Sequence, residues 1–450
     1  MEKTGGLSYI WIEIGSCLGD LVSKFENFRD LRWGSNKKYK MSDFVLSAFS
    51  LFLLNNSSFL EQQRLVKSRR GSSNCETLFG LTHIPSDGAI RDNLDYVPAS
   101  EVLACYGTVY EKMKRMGVFS RYEYGDLGFL VSLDGTQTID SERICCDKCN
   151  KRTLKNGNIQ YYHSCVQAVL SHPLEQEIIP LEPEFIEAQT DCEKQDCEIN
   201  ASKRWLEKYL DTWKTRLDSR PITFLGDDLY AHEPFCNLLI SKGQHFIFVC
   251  KPGSHKALYE ELRLLGESGM LSSHSCIQKE GKKNLRYEYK FMNQLPIREA
   301  TTQKDSPLHV NWVEVTVFDG QNKEVYHNCF ISDFLITHQN VEYIAQAGRS
   351  RWKIENQAFN TLKNQGYEIT HNFGHGQNHL ANTLFALNIL AFLFHNFLKI
   401  TSLAFNNLLK KLGKKSDLWR HITVLTHYVV FDSWEHLFCN IAHAWELNDS

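Results

Sequence analysis

Three acidic residues spread along the chain, Asp134, Asp227 and Glu355, have the local settings that metal-assisted chemistry requires. Asp134 follows the apolar run Phe129-Leu-Val-Ser-Leu133, and Asp227 follows Pro221-Ile-Thr-Phe-Leu-Gly226, so each is expected at the end of a strand. Glu355 lies in Arg351-Trp-Lys-Ile-Glu-Asn-Gln-Ala-Phe-Asn-Thr-Leu-Lys363, which reads as an amphipathic helix. At about 100° per residue, Trp352, Ile354, Ala358, Phe359 and Leu362 share one arc, and Arg351 and Glu355 fall inside it. A carboxylate aimed at the protein body needs a cation, a metal or another carboxyl group. Two strand-end aspartates and an inward glutamate suit a pair of Mg²⁺ (or Mn²⁺) ions. Such ions take oxygen ligands and, about 3.5 to 4 Å apart, assist an in-line phosphoryl displacement. Asp134 would bridge the two ions, with Asp227 and Glu355 on one each.

Taken singly, each acid has a plainer use. Asp134-Gly135 is a common hairpin turn, Asp227 could cap the following helix, and Glu355 could pair with Arg351 one turn earlier. The adjacent Asp228 competes for the second position, but Asp227 comes directly off the strand.

These residues need elements to hold them. The chain has 450 residues of ordinary globular composition, room for about two or three domains. Residues 1–122 read as helical: Phe44 to Leu54 is an apolar run, Glu61 to Arg70 a charged helix-like stretch, Gly80 to Asp92 a loop, and Ser100 to Met116 a further helix. From residue 123 the pattern turns to strands, with Ile159 to Ser171 and Glu177 to Leu181 following the Asp134 strand. A charged helix, Asp196 to Arg216, precedes the Asp227 strand, and Phe246 to Cys250 is another strand. The expected architecture over 123–376 is α/β, a mixed sheet flanked by helices. Inside it a β-rich insertion at about 252–335 carries strand candidates Leu285 to Phe291, His309 to Phe318 and Val325 to Ile331. Residues 377–450 read as helical again.

The formal net charge of -3 does not announce a nucleic-acid binder, so any such contact must come from local basic clusters: Lys37 to Lys40, Arg64 to Arg70, Lys148 to Lys155 and Lys410 to Lys415. The 14 cysteines are scattered and no secretory leader pattern opens the chain, which points to a reducing, cytoplasmic setting. Leu380 to Ile400 is apolar enough to raise the question of a membrane span. Asn382, Asn388, His395 and Asn396 interrupt it, however, so a buried core helix is expected and no membrane partner.

Leu133-Asp134-Gly-Thr, Gly226-Asp227-Asp-Leu-Tyr-Ala and the segment from Arg351 through Glu355 to Lys363 together resemble the three acidic motifs of DDE transposases. The likeness is to the insertion-sequence type whose third motif is written Tyr-Arg-Glu-Lys, and it runs from about Leu127 to Gln377. The resemblance implies an RNase H-like fold with a β-rich insertion between the second and third acids. It implies Mg²⁺-dependent cutting at transposon terminal inverted repeats and joining of the freed 3′ ends to target DNA. It also gives DNA-contacting roles to Arg351 and Lys363, DNA binding to the N-terminal region, dimerisation to the C-terminal region and a homodimer to the synaptic complex. In a bacterium the protein would then be nucleoid-associated. The tyrosine position is Gly348 here, and Lys363 follows Glu355 by eight residues, one more than the family spacing. The alternatives are a catalytically inactive, transposase-derived DNA-binding protein and an RNase H-like nuclease that only hydrolyses.

A second set of ligand-type residues stands apart. Cys146, Cys149, His163 and Cys165 could hold a structural zinc, although His163 and Cys165 are only two apart. His371, His375 and His379 recur every four residues, but Gly374 and Gly376 make that segment a loop. Ser254 is expected to cap the helix that follows it, and Trp312, among valines, to pack in the core.

Overall fold

Two periodicities build the chain, helical before residue 120 and after 380, strands interleaved with helices between. The computed structural model describes residues 5–33, 37–188, 196–281, 283–299, 301–302, 306–413 and 415–446. The N-terminal part contributes α1 (Gly5–Phe25), α2 (Met41–Leu53), α3 (Phe59–Val66), α4 (Arg69–Phe79), α5 (Asp87–Leu94) and α6 (Ala99–Arg115). The expected loop through Asp92 ends earlier, because the Ser86 hydroxyl accepts from Ala89 N and starts α5 at Asp87.

A sheet of 11 strands follows. Its first strands are β1 (Phe129–Ser141), β2 (Asn150–Thr153), β3 (Ile159–Ser171), β4 (Ile179–Pro180) and β5 (Glu184–Ile186). After α7 (Glu198–Arg216) come β6 (Ile222–Gly226), α8 (Glu233–Ser241) and β7 (His245–Val249). Then α9 (Lys256–Glu267) leads to β8 (Ser272–Glu280), β9 (Lys283–Pro296), β10 (His309–Phe318) and β11 (Glu324–Ser332). The spatial order is β2-β3-β1-β6-β7-β11-β10-β9-β8, with β4 and β5 on β3. β1 is antiparallel to β3 and parallel to β6, β6 is parallel to β7, and β11 returns antiparallel to β7. The β-rich segment therefore extends the same sheet, and the buried Trp312 packs there, on β10.

Side-chain alternation divides the core. Phe129, Val131, Leu133, Ile222 and Phe224 join the N-terminal helices and α7 in one cluster, while Leu130, Leu225, Ile247 and Val249 face the other way. That second face is covered by α10 (Val341–Ser350) through Val341, Ile344 and Ala347. A π-helical turn (Ile354–Phe359) and the short α11 (Asn360–Asn364) come next.

The remaining helices are α12 (Leu380–Thr401), α13 (Leu403–Leu412), α14 (Lys415–Tyr428) and α15 (Trp434–Ala444). Among the described residues α12 is the one helix long and apolar enough to cross a membrane, and 94% of its most apolar stretch is buried against protein. The polar residues that interrupt it are tethers: Asn382 donates to Glu187, Asn388 to the Tyr367 carbonyl and Asn396 to the Ile178 carbonyl, while His395 sits between Tyr367 and the Leu53 carbonyl. Buried amides without such partners would each cost about 1–3 kcal/mol.

Candidate active site

The pairing of β1 with β6 runs Phe129 to Ile222 through Ser132 to Leu225 and then stops. Asp134 and Asp227 each lie two residues beyond that last pair, on the face of Leu130 and Leu225. In parallel neighbours about 4.8 Å apart, equal offsets bring two side chains side by side. β1 itself does not end at Asp134, contrary to the expectation from Asp134-Gly135: it continues to Ser141 because β3 still pairs with it, Gln167 lying opposite Asp134. Asp134 is thus held rigidly within a strand, at the place where the β6 side of the sheet opens.

The charges respond to one another. Burial first, and then the proximity of Asp227 and Glu355, push the Asp134 carboxyl up to about 6, against the opposing pull of Arg351 and the Gly135 N–H. Arg351 Nη1 reaches Asp134 Oδ2 at 3.3 Å, with both side chains largely covered. Asp227 Oδ1 accepts from Leu229 N at 2.9 Å, an Asx-type turn that leaves its second oxygen free to serve the site.

Asp228 is occupied differently. It accepts from Lys251 N at 2.6 Å and from the Ser254 hydroxyl, with His255 Nε2 at 3.6 Å. Ser254 consequently does not cap α9; it fastens the loop after β7 to Asp228. Between the two neighbouring acids, the structure commits Asp228 to the loop and leaves Asp227 beside Asp134.

Glu355 departs from its expectation. It is exposed rather than inward, as is Trp352 at 59%, while Ile354, Ala358, Phe359 and Leu362 are buried. The reason is local: the chain turns at Arg351–Trp352 and then winds as a π-helix from Ile354, so the 100° period that predicted one buried arc does not hold. Lys353 is anchored by Nζ contacts to the carbonyls of His172, Pro173 and Glu175 at 2.8, 3.1 and 2.5 Å. Glu355 stands at the open rim of the site, near enough to raise Asp134. Lys363 is exposed at the end of α11, its ammonium 5.9 Å from the centre of the Phe359 ring.

A fourth carboxylate stands beside these acids. Glu198, the first residue of α7, packs on the backbone of Gly135: a Cβ there would stand 2.2 Å from the Glu198 carboxyl carbon. Burial raises the Glu198 carboxyl, and Asp134 and Asp227 raise it further. An acid in the first turn of a helix is so ordinary that the sequence gives it no distinguishing signal.

No family model matches the chain, and no curated protein does. Among solved structures, one similar chain is the piggyBac transposase in its synaptic complex with hairpin DNA, at a TM-score of 0.38 and 10% identity, covering 98% of this chain and 82% of that one. Similarity that low carries no argument, and the site rests on its own geometry.

The expected zinc ligands are brought together only in part. Cys146, Cys149 and His163 converge, but Cys165 does not join them. It is fully buried, its thiol pushed up by burial and then by Glu184 and Glu198. It packs instead in the hydrophobic core with Val166 and Ala168. His375 takes the fourth corner, whereas His371 stacks edge-on near Phe373 and His379 meets Lys148. As the glycines suggested, 368–379 is a loop.

Proposed function

We propose that this chain is a DNA transposase of the DDE type, cutting at transposon ends and joining the freed 3′ hydroxyls to target DNA. The observation that carries the reading is the equal offset of Asp134 and Asp227 on the parallel strands β1 and β6, with Glu355 in electrostatic reach. The antiparallel β1–β3 pair followed by parallel β6 and β7 supports an RNase H-like core.

The residues fit a divalent metal. Asp134 feels Asp227 and Glu355, Glu198 feels Asp134 and Asp227, Arg351 contacts Asp134, and burial first drives the Asp134 carboxyl toward protonation, so oxygen donors of a hard cation meet here. Two Mg²⁺ (or Mn²⁺) ions, when bound, would supply Lewis acidity to the attacking and leaving oxygens. Asp134, Asp227 and Glu355 would hold them. The Arg351 guanidinium, which meets Asp134 through Nη1, would offer its Nε and Nη2 donors to a DNA phosphate. Lys363, exposed eight residues after Glu355, would follow the same backbone as a point charge. The N-terminal helices would bind the terminal repeats, and a homodimer would pair the ends, with the C-terminal helices contributing to the interface.

The test uses labelled DNA from either side of the coding sequence, ending in a free 3′ hydroxyl, with a target plasmid and Mg²⁺. Joined product supports the proposal. Binding without nicking or joining would make the chain a DNA-binding derivative, and nicking without joining a nuclease. Full activity in Asp134→Asn would dismiss the triad.

A further inference from the structure

Away from the carboxylates, four ligand-type side chains from three separate parts of the chain meet at a point. Cys146 and Cys149 lie in the connection between β1 and β2, His163 on β3 and His375 in the loop before α12. The separations are 3.8 Å between the two sulfurs, 3.5 and 3.4 Å from His163 Nε2 to Cys146 and Cys149, 3.2 Å from His375 Nε2 to Cys149, and 3.3 Å between the two Nε2 atoms. The last pair, Cys146 and His375, is within 4.8 Å.

These lengths are the edges of a metal-centred tetrahedron. Zn–S near 2.3 Å and Zn–N near 2.05 Å require about 3.8 Å between sulfurs, about 3.5 Å from sulfur to nitrogen and about 3.3 Å between nitrogens. A disulfide would need sulfurs about 2.05 Å apart, so the cysteines are not bonded to each other.

The surroundings prepare the same four atoms. Cys149 N donates to the Cys146 carbonyl at 3.1 Å, closing a tight turn, and Cys146 N donates to Cys149 Sγ at 3.4 Å. The Lys148 N–H points at Cys146, so both sulfurs receive the backbone hydrogen bonds a thiolate prefers. His375 Nδ1 lies 2.9 Å from the Gly376 carbonyl, which accepts its proton and leaves Nε2 as a bare lone pair facing the cluster. Cys149, His163 and His375 are all buried. Lone pairs converging in a buried site repel unless a cation stands among them. Two other groups of ligand-type residues, His274-Cys276-Glu342 and Glu314-His327-Cys329, offer three ligands each, and in both the histidine already contacts a carboxylate, at 2.8 and 3.0 Å.

We propose that Cys146, Cys149, His163 and His375 bind one structural Zn²⁺ that fastens the loop before α12 to the β1–β3 edge of the sheet. Four protein ligands close the coordination sphere, so the ion has no open position for substrate. It joins residues 226 apart, Cys149 and His375, and so fixes the segment that leads from Glu355 and α11 into the buried α12. This site is independent of the phosphoryl-transfer reading.

The experiment is elemental analysis of the full chain, purified without added metal and desalted through EDTA. About one zinc per chain is expected, and Co²⁺ in its place should give the intense visible bands and thiolate charge-transfer absorption of a tetrahedral S₂N₂ site. Cys149→Ser and His375→Ala should lose the metal, His375→Cys should keep it, and Cys165→Ala and Asp134→Asn should keep it. Zinc below about a tenth of an equivalent in the wild type, with no tetrahedral cobalt spectrum, would overturn the proposal. So would retention by both Cys149→Ser and His375→Ala, or loss from Cys165→Ala in folded protein. Should the first two variants fail to fold, the wild-type cobalt spectrum and the His375→Cys metal content decide.

Discussion

Arg351 and Asp134, 217 residues apart in sequence, meet through Nη1 and Oδ2 at 3.3 Å. Arg351 is the largest charge that holds the Asp134 carboxyl down. Arg351→Ala should therefore raise the Asp134 titration further in metal-free protein, read from the pH dependence of thermal unfolding. It should also slow strand transfer at least about tenfold, or about 1.4 kcal/mol. Arg351→Lys should recover the titration better than the rate, because a lysine lacks the planar fork. An unchanged rate in both variants would make the pair incidental to catalysis.

Asp134 should cost the metal-free fold stability at neutral pH. Its carboxyl is raised from 3.8 to about 6, so the folded state binds the proton more tightly than the unfolded chain. The favourable contribution is complete below pH 3.8 and is lost as pH rises through 6. The difference amounts to roughly 3 kcal/mol. Asp134→Asn should accordingly raise the metal-free Tm at pH above 7 by about 3 °C, with the gain vanishing near pH 4. Mg²⁺ should stabilise the wild type at neutral pH and leave the variant unmoved. Calorimetry with and without Mg²⁺ checks both signs.

Asp227 and Asp228 should separate cleanly. Asp228→Asn weakens the charged acceptor for Lys251 N and Ser254 and should destabilise by about 1–3 kcal/mol while retaining metal-dependent activity. Asp227→Asn should fold like the wild type and be inactive. The reverse pattern would exchange the two assignments.

Gly135 should tolerate no side chain while Glu198 stands over it. Gly135→Ala puts a Cβ 2.2 Å from the Glu198 carboxyl, so DNA joining should fall steeply. Adding Glu198→Ala should restore part of it if the damage is steric. No restoration would mean that Glu198 is needed in its own right, which Glu198→Gln alone would then reveal as a comparable loss.

Alternation was readable where both faces of a strand are used: Ile159 to Ser171 and His309 to Phe318 became β3 and β10. β8, Ser-Ser-His-Ser-Cys-Ile-Gln-Lys-Glu, was not, because an edge strand with a polar face has no such pattern. The extension of β1 past Asp134-Gly135 was hidden because a partner strand, rather than the dipeptide, decides whether it turns. The nearness of Asp134 to Asp227 needed only two strand ends, which the apolar runs supply. Glu198 and His375 were out of reach for a different reason: each acquires its meaning from a residue far away in the chain.

The π-helical turn from Ile354 to Phe359 has a consequence for register. A ladder in which Asn360 N reaches the Glu355 carbonyl, five residues back, takes one residue more to complete its turn than an α-helix does. The one residue by which Lys363 exceeds the spacing of the motif it resembles would thereby be absorbed inside the turn instead of rotating everything after it by about 100°. Lys363 at the eighth position after Glu355 points roughly where the seventh would point on an unbroken α-helix. A residue that would swing a side chain off the face of an unbroken α-helix is here taken up in widening one turn.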